Sequence, residues 1–486
     1  MTSLHLRSTA FVCALFSGYL ALFMIIPALL DMARGNSEWQ VFAASALLVG
    51  GLAASVGLAT YSRSPLPTSS RFGFLLVNAL WVTTALGGAI PFMGAPTHLS
   101  FTDAVFESIS ALTTTGSTVV SGLDELPPGI LFWRSLLQWI GGIGVIALGL
   151  FILPLLKVGG VDYLRIESSD TGERPFDRLA TYTKALLSLY VLMTVLCAIL
   201  YALAGMSGFD AINHAMTTLS TGGFSTHDNS LGFYSDKPLV LWIATAFMFF
   251  GALPFSILIL LTLRGRLDAA RDPQIKIFAG YCGVFIISVA IYWTVTAGTP
   301  FLHSLTHSAF NFVSIITTTG YASGDYSLWG PFVVACAFMA TFLGGCSGST
   351  SGGIKAYRFA VLFKMAASGM RRLIYRHAVS TPKYGDRPIG SDLQAAVLLF
   401  VVSFFLLWAM LILILSATGL DFVTASSGAL TALTNVGPGL GTVIGPVGNF
   451  ATLPDASKWA LSLAMLLGRL EILAVLVLLS PAFWRD

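Results

Sequence analysis

Ten apolar runs of about 20 residues recur along the chain, and they limit its fold more than any other feature. An α-helix needs a run of about this length to cross the hydrocarbon core of a bilayer, which is about 30 Å thick. Only 10% of the 486 residues are charged, whereas a soluble domain is about 25% charged. The runs lie at 8–30, 41–61, 73–93, 131–156, 180–204, 238–263, 275–297, 331–365, 393–418 and 459–480. The sequence therefore predicts an all-α polytopic membrane protein.

The distribution of basic residues indicates which side of the membrane each connection faces. Lys and Arg concentrate in alternate connections, at 63–71, 157–184, 264–276 and 355–387, while the intervening connections carry acids and few basic residues. Cytoplasmic loops carry an excess of Lys and Arg. The basic connections are therefore predicted to lie inside, and both termini are predicted to be cytoplasmic.

Four outward-facing connections contain the same element, a semi-apolar stretch followed by a short Thr/Gly segment. They read ESISALTTTGS (107–117), AMTTLSTGGFS (215–225), FVSIITTTGYAS (312–323) and SGALTALTNVGP (427–438). Alignment on one glycine pairs Gly116, Gly222, Gly320 and Gly437, with separations of 106, 98 and 117 residues. An apolar run precedes and follows each element, so the last eight runs form four repeated units. The predicted division is an extra two-helix domain at 1–66 and repeats at 67–165, 166–270, 271–385 and 386–486.

The stretch before each glycine is about 11 to 17 residues long, too short to cross the bilayer, so it must enter and return on one side. Non-helical backbone at membrane depth is tolerated where it is buried in protein or lines a water-filled cavity. Four such loops around one axis are predicted to form an ion pore, in which backbone carbonyls replace the water shell of a cation. One Thr/Gly segment alone is more typical of helix packing than of a filter, but four copies favour a filter. The predicted filter residues are Thr114, Thr115, Gly116, Ser220, Thr221, Gly222, Thr318, Thr319, Gly320, Asn435, Val436 and Gly437.

The eighth apolar run is interrupted by GGCSGSTSGG at 344–353. A segment without an aliphatic side chain cannot keep an unbroken lipid-facing helix, so we expect an intramembrane loop that faces the pore and gates it. A helix kink is the alternative. A phosphate-binding loop is not favoured, because the GxxxxGK[ST] order and a preceding strand are missing. The predicted gate residues in this loop are Gly345, Ser347, Gly348, Ser349, Gly352 and Gly353.

Arg469 lies within the last apolar run, where a charge costs at least about 2.5–3.5 kcal/mol. Glu471 is two positions away and faces another side of a helix, so the two are not intrahelical partners. Two interpretations remain. Arg469 and Glu471 satisfy buried polar groups between helices, or Arg469 lies in the pore beside 344–353 as an electrostatic barrier.

Three further segments carry a family resemblance: WIGGIGVIALG (139–149), GGCSGSTSGGIKAYR (344–358) and MLLGRLEI (465–472). With the four Thr/Gly elements, they make the chain resemble the Trk/Ktr/HKT superfamily of potassium transporters over essentially its whole length. The two extra N-terminal helices resemble the TrkH/TrkG potassium uptake membrane subunits in particular.

This resemblance implies a set of properties that the residues alone do not give. The filter glycine of each repeat is associated with potassium selectivity in the family, and all four positions are glycine here, which implies K⁺ as the transported ion. Asn435 and Val436 replace hydroxyl residues in the fourth element, which should alter the symmetry of the ring without abolishing it. The resemblance also supports the pore position of Arg469.

The expected partners follow from the same resemblance. They are a cytosolic TrkA-like regulatory subunit that binds NAD(H) or ATP and docks on the basic inner loops, and a second copy of the chain in a homodimer. From the residues alone, the basic inner surface could equally serve anionic membrane lipid. The expected location is the bacterial cytoplasmic membrane. We expect no tightly bound cofactor and no nucleic acid.

Two other functions are weighed against a gated, channel-like uptake system. A symporter that couples K⁺ to H⁺ or Na⁺ is the first, and the scarcity of acids in the spans beyond Glu471 argues mildly against a proton relay. An intramembrane enzyme is the second. His214, His303 and His307 lie near the short helices but follow no HExxH or similar spacing, so the chain is not expected to be an enzyme.

Overall fold

The computed structural model describes residues 3–67, 69–94, 96–147, 175–265, 271–375, 381–385 and 387–485. Most of these residues are helical, and the predicted all-α membrane fold is confirmed. Parts of the basic connections predicted at 157–184, 264–276 and 355–387 lie outside the described residues, as does the end of the run at 131–156.

The elements follow one another in the order that the apolar runs predict. In chain order they are α1 (Ser3–Phe23), α2 (Ile25–Ala33), α3 (Trp39–Thr60), α4 (Ser70–Met93), α5 (Phe101–Leu112), α6 (Pro128–Ala147), α7 (Pro175–Leu203), α8 (Gly208–Leu219), α9 (Pro238–Gly251), α10 (Phe255–Arg264), α11 (Pro273–Ala297), α12 (Phe301–Ile316), α13 (Pro331–Phe342), α14 (Ala356–Ile374), β1 (Lys383–Tyr384), β2 (Arg387–Pro388), α15 (Ser391–Ala417), α16 (Phe422–Thr434), α17 (Asp455–Arg469), α18 (Ile472–Leu479) and α19 (Pro481–Trp484). Strands β1 and β2 pair antiparallel, with Tyr384 opposite Arg387. Within the described ranges, seven helical segments are long and apolar enough to cross a bilayer, or nine if two bent pairs each count as one span.

Two predicted spans are not continuous, and the prediction of unbroken helices there is wrong. The run at 238–263 bends by 102° between α9 and α10, and the run at 459–480 bends by 114° between α17 and α18. Pro254 causes the first bend, because it has no N–H to donate and it disfavours helical backbone at the residue before it. At the second bend Glu471 has a φ of 61°, outside the helical region.

Four half-length helices precede the Thr/Gly segments. Helices α5, α8, α12 and α16 have 12, 12, 16 and 13 residues, about 18 to 24 Å at 1.5 Å per residue. The first two begin with the same cap, since Ser100 Oγ accepts from Asp103 N and Ser207 Oγ accepts from Asp210 N, each at 3.1 Å. Asp421 caps α16 in the same way. None is long enough to span the membrane.

Two large apolar cores hold the four units together. One core packs the N-terminal helices mainly against the first and fourth units, and the other joins mainly the second and third units. The units that are first and last in the chain are therefore neighbours in space, as a closed arrangement of four requires.

Candidate functional site

The same backbone turn occurs in all four Thr/Gly segments. A residue in the left-handed region is followed two positions later by a glycine with positive φ: Thr114 and Gly116 (51° and 89°), Thr221 and Gly223 (51° and 77°), Thr318 and Gly320 (58° and 84°), Asn435 and Gly437 (59° and 106°). We call the segments 114–116, 221–223, 318–320 and 435–437 the first to fourth ring loops. Left-handed backbone costs about 1–2 kcal/mol per non-glycine residue, so four copies of this turn indicate a shared constraint.

The turn corrects the alignment of the second loop by one residue. In each loop the middle amide donates to the carbonyl five residues earlier: Thr115 to Ser110, Gly222 to Thr217, Thr319 to Ser314 and Val436 to Thr431, at 2.8 to 3.0 Å. Gly222 is therefore equivalent to the middle residues, and Gly223 is equivalent to Gly116. The sequence alignment that places Ser220 first and Gly222 last in this loop is therefore wrong. The segment contains two consecutive glycines, and the second of them has the positive φ.

The four ring loops touch one another in a closed circle. A Cβ atom at Gly116 would lie 2.3 Å from the carbonyl oxygen of Gly222 in the second loop. The contact repeats around the ring, from Gly223 to Thr319 O (1.9 Å), Gly320 to Val436 O (2.0 Å) and Gly437 to Thr115 O (2.6 Å). Each glycine therefore leaves room for a carbonyl of the next loop, and the last loop returns to the first. This arrangement concentrates peptide oxygens around one axis.

Asn435 departs from the threonines in the other loops but keeps their backbone. Its side-chain nitrogen donates to Thr115 Oγ1 at 3.0 Å and to Met465 O at 2.9 Å, so it fastens the fourth loop to the first. Ser117 Oγ adds a bond to Gly437 O at 2.8 Å. Asparagine tolerates the left-handed region better than most residues, which explains how the fourth loop retains the shared turn.

Gln138 on α6 holds the second loop on both sides of Gly223. Its Nε2 donates to Gly222 O at 2.6 Å and its Oε1 accepts from Phe224 N at 3.1 Å. The side chain is fully buried. The sequence reasoning missed this residue, although a polar amide within an apolar helix is itself a signal of a specific partner.

A buried ion pair joins the first and second loops on their outer side. Arg134 Nε lies 2.8 Å from Glu107 Oε1, and both side chains are at most 1% exposed. Arg134 also donates to Ser225 O at 3.0 Å, and Glu107 Oε2 accepts from Val119 N at 2.9 Å. The pair thus fixes the segments that leave both loops, and the sequence reasoning missed it because the two residues belong to different helices.

Replacing Glu107 by Ala is expected to lower the free energy of unfolding by about 3–5 kcal/mol, since it leaves Arg134 buried without its counter-ion. Thermal unfolding of the detergent-solubilised protein measures the loss. Combining Glu107→Ala with Arg134→Met should restore part of it. Glu125 is an exposed acid of the same connection, and Glu125→Ala should change the unfolding free energy little. Equal losses in Glu107→Ala and Glu125→Ala would refute the buried-pair argument.

Outside the spanning helices, an acidic cluster surrounds His227. This histidine lines a cavity together with Gly116, Gly223 and Gly320 of the ring loops. His227 Nδ1 lies 2.5 Å from Asp124 Oδ1, and its Nε2 lies 3.6 Å from Asp210 Oδ2. Burial alone would lower the pKa of His227, but the two carboxylates outweigh burial and raise it. Burial would raise the pKa of Asp210, yet His227 and three hydroxyl donors hold it well below its ordinary value. Asp210 therefore keeps its negative charge beside His227.

The intramembrane loop, residues 344–353, lies directly against the ring loops. Gly352 N donates to Thr318 Oγ1 at 2.6 Å, and Gly353 N donates to Thr434 O, next to the fourth loop, at 2.8 Å. Thr350 Oγ1 accepts from Thr221 Oγ1 at 3.2 Å and donates to Gly251 O at 2.9 Å. The loop thus contacts the second and third ring loops and the residue preceding the fourth, and it also binds the end of α9.

A cavity separates part of this loop from the last helices. Its lining includes Ser347, Gly348, Ser349, Gly352, Gly353, Lys355, Gly468, Arg469 and Glu471. Gly345 is not part of that lining, and its amide instead donates to Ser351 Oγ at 2.8 Å. Five of the six predicted loop residues and Arg469 are therefore brought together around one space.

Arg469 and Glu471 have different environments. Arg469 is 4% exposed, and within the described residues its three guanidinium nitrogens have no hydrogen-bond partner. Glu471 Oε2 lies 2.5 Å from Arg358 Nη2, and Arg358 packs on the Phe400 ring at 3.6 Å. The bend after Arg469 turns Glu471 toward Arg358 and leaves the Arg469 charge facing the cavity.

Comparisons with known proteins place this architecture among transporters. The sequence model of a family described as TrkH, cation transport protein, matches residues 44–485. The chain is 46% identical over 468 residues to the Trk system potassium uptake protein TrkI of Halomonas elongata, covering 96% of this chain and 94% of that protein. It is 38% identical over 424 residues to the Trk system potassium uptake protein TrkH of Escherichia coli, covering 86% of each chain. The crystal structure of the potassium transporter TrkH from Vibrio parahaemolyticus matches with a TM-score of 0.91 at 34% identity, covering 99% of this chain and all of the other.

Proposed function

The chain belongs to the TrkH family of cation transport proteins, and from that premise we propose that it takes up potassium ions through the ring of four loops. The relatives are named for potassium uptake. The observation that carries the proposal is the closed circle of contacts between each ring glycine and a carbonyl of the next loop. An ion on the axis exchanges its water shell for peptide oxygens there.

The half-length helices add an electrostatic contribution to this site. Each of α5, α8, α12 and α16 ends at its ring loop, so its C-terminal carbonyls, which carry a partial negative charge, lie nearest the axis. Four such ends favour a cation and disfavour an anion. The Asp210 carboxylate, whose pKa is held low, adds negative charge on the outer side of the ring.

The gate of the proposed pathway is the intramembrane loop together with Arg469. The loop lies against the ring loops. The guanidinium of Arg469, which has no hydrogen-bond partner among the described residues, faces the cavity beside it. A cation that leaves the ring inward would pass both, and the fixed positive charge raises its energy there. Movement of the loop away from α9 would open the path.

Thr350→Val tests the attachment of the loop. The substitution keeps the shape of the side chain and removes the hydroxyl, whose single hydrogen lies between Leu219 O and Gly251 O and contributes about 0.5–1.5 kcal/mol. We expect basal rubidium flux into proteoliposomes to rise by about fivefold. Thr341→Val, which removes a bond within α13, is the matched control. Unchanged flux in a folded Thr350→Val protein would contradict this role for the loop.

The remaining assignments extend the same proposal. The chain would lie in the bacterial cytoplasmic membrane with both termini inside, as a homodimer, and a TrkA-like cytosolic subunit that binds NAD(H) or ATP would act on its basic inner face. The division into 1–66 and four repeats remains part of the proposal. Control would come from the partner, since the basic connections offer the docking charge.

Uptake of rubidium and sodium into proteoliposomes, with and without the cytosolic subunit, tests the function. Rubidium uptake driven by membrane potential alone, well above sodium uptake and altered by the subunit, is the expected result. Dependence of that uptake on a proton or sodium gradient would instead establish coupled transport. Equal rubidium and sodium uptake would refute a potassium-selective ring.

A further inference from the structure

Two histidines lie one turn apart near the outer end of α12, the half-length helix of the third repeat. His303 is exposed and His307 is 7% exposed. Residues at i and i+4 share a face of a helix, and the two ring centroids are 4.4 Å apart with an angle of 53° between the rings. Neither residue has a role in the proposed ion pathway.

One of the four ring nitrogens of this pair is hydrogen-bonded among the described residues, and the other three can bind a ligand. His307 Nδ1 hydrogen-bonds Ser323 Oγ at 2.8 Å, which fixes the orientation of the ring. Within the described part of the chain, His307 Nε2 and both ring nitrogens of His303 have no hydrogen-bond partner. None of these three nitrogens is among the fully buried atoms that lack a partner. A histidine that binds a metal commonly has its second nitrogen bonded to an oxygen in this way.

Aromatic side chains hold the two imidazoles in place. The Trp293 ring lies 5.6 Å from the ring of His303 and 6.2 Å from that of His307. Trp293 in turn stacks on Trp329, with ring centroids 3.9 Å apart and an interplanar angle of 10°. This packing limits the rotamers of the pair before any ligand arrives, which lowers the cost of binding.

We propose that His303 and His307 form an external site for a divalent transition-metal ion of the Zn²⁺, Ni²⁺ or Cu²⁺ class, and that the bound ion slows transport through the third ring loop. Imidazole nitrogens suit these metals, whereas Mg²⁺ and Ca²⁺ require oxygen ligands. The HExxH helix of zinc enzymes also places two histidines four positions apart, but Ser304 stands here in place of its catalytic glutamate, so the spacing supports metal binding and not catalysis. Among the described residues no group of three or more metal-binding side chains occurs, so water completes the coordination and binding is reversible.

The link to the ring loop runs through Ser323. Asn311 Nδ2 donates to Ser323 Oγ at 2.7 Å, and Ser323 N donates to Asn311 Oδ1 at 3.1 Å. Ser323 follows Gly320 by three residues, and Ser314 Oγ donates to Tyr321 O between them at 2.8 Å. A metal that immobilises His307 therefore immobilises the outer end of the third loop. This second half of the inference rests on the proposed function, and the metal site does not.

Calorimetric titration of the purified full-length protein with ZnCl₂, after removal of any polyhistidine tag, tests the site. One ion per chain is expected for the unmodified protein and for His98→Ala, an exposed histidine elsewhere on the outer side. At least a tenfold loss of affinity is expected for His303→Ala and for His303→Gln. Unaltered affinity in both His303 variants would overturn the site, and loss in His227→Ala alone would assign the ion to the acidic cluster instead.

Rubidium uptake into proteoliposomes with external ZnCl₂ tests the coupling. Inhibition that is lost in His303→Ala, and absent with MgCl₂, is the expected result. Binding without inhibition would keep the metal site and refute its coupling to the loop. Absence of rubidium uptake before any metal is added would refute the proposed function, and the titration would still decide whether the site exists.

Discussion

Gly223→Ala is expected to reduce rubidium uptake by at least about tenfold, the largest loss among the substitutions considered. A Cβ at this position would lie 1.9 Å from Thr319 O and would occupy backbone with a φ of 77°. The left-handed conformation alone costs an alanine about 1–2 kcal/mol, and about 1.4 kcal/mol corresponds to a tenfold change in uptake. Because the clashing atom is a backbone carbonyl of the next loop, the distortion passes directly to the ring. Flux assays on folded, monodisperse protein measure the loss.

Two neighbouring glycines serve as comparisons for this substitution. Gly208→Ala, at the start of α8, has nothing within 4 Å of its new Cβ and should transport normally. Gly222→Ala would meet the flexible end of Gln138 at 2.4 Å, so a smaller loss is expected. A greater loss for Gly222→Ala than for Gly223→Ala would show that the one-residue correction of the second loop is mistaken.

Arg469→Ala should have the largest effect in the opposite direction, raising basal rubidium flux about tenfold or more. The guanidinium is buried beside the intramembrane loop without a protein counter-charge in the described part of the chain. A unit charge about 4 Å from a cation repels it by about 4 kcal/mol at an effective dielectric constant near 20. Removing the charge should therefore lower the barrier by more than the roughly 1.4 kcal/mol that corresponds to a tenfold change in rate. Flux into liposomes without the cytosolic subunit measures the change.

Arg469→Lys is the matched control, because it retains the charge and changes the shape of the head group. Its flux should stay near that of the unmodified protein. Deletion of part of 345–352 should act in the same direction as Arg469→Ala. A folded Arg469→Ala protein with unchanged or reduced flux would remove the electrostatic barrier from the mechanism.

Hydropathy predicts the spans of this chain well but not where they bend. The run at 238–263 looks continuous because Pro254 is surrounded by aliphatic and aromatic residues, and only its missing N–H signals the break. The bend at Glu471 has no proline. Glu471 instead pairs with Arg358, 113 positions earlier in the chain, and a contact of that range leaves no trace in a local pattern.

The ring illustrates the same limit at the level of single residues. Four Thr/Gly segments predict four equivalent loops, yet the sequence STGGF contains two glycines, and spacing cannot decide between them. The choice is made by backbone dihedrals, which place Gly223 rather than Gly222 at the left-handed position. Arg134 and Gln138 were missed because the partner of Arg134 lies on another helix, 27 positions away, and that of Gln138 lies in another repeat, 84 positions away.

The order of contacts in the ring has a consequence for how the protein is made. The loops meet in the order in which a ribosome produces them, and the circle closes through bonds that join Asn435 and Gly437 of the fourth loop to Thr115 and Ser117, each 320 positions earlier. Earlier units emerge and can fold first. A chain that ends before the fourth loop therefore cannot close this circle, and we expect it to lack the complete ring of peptide oxygens.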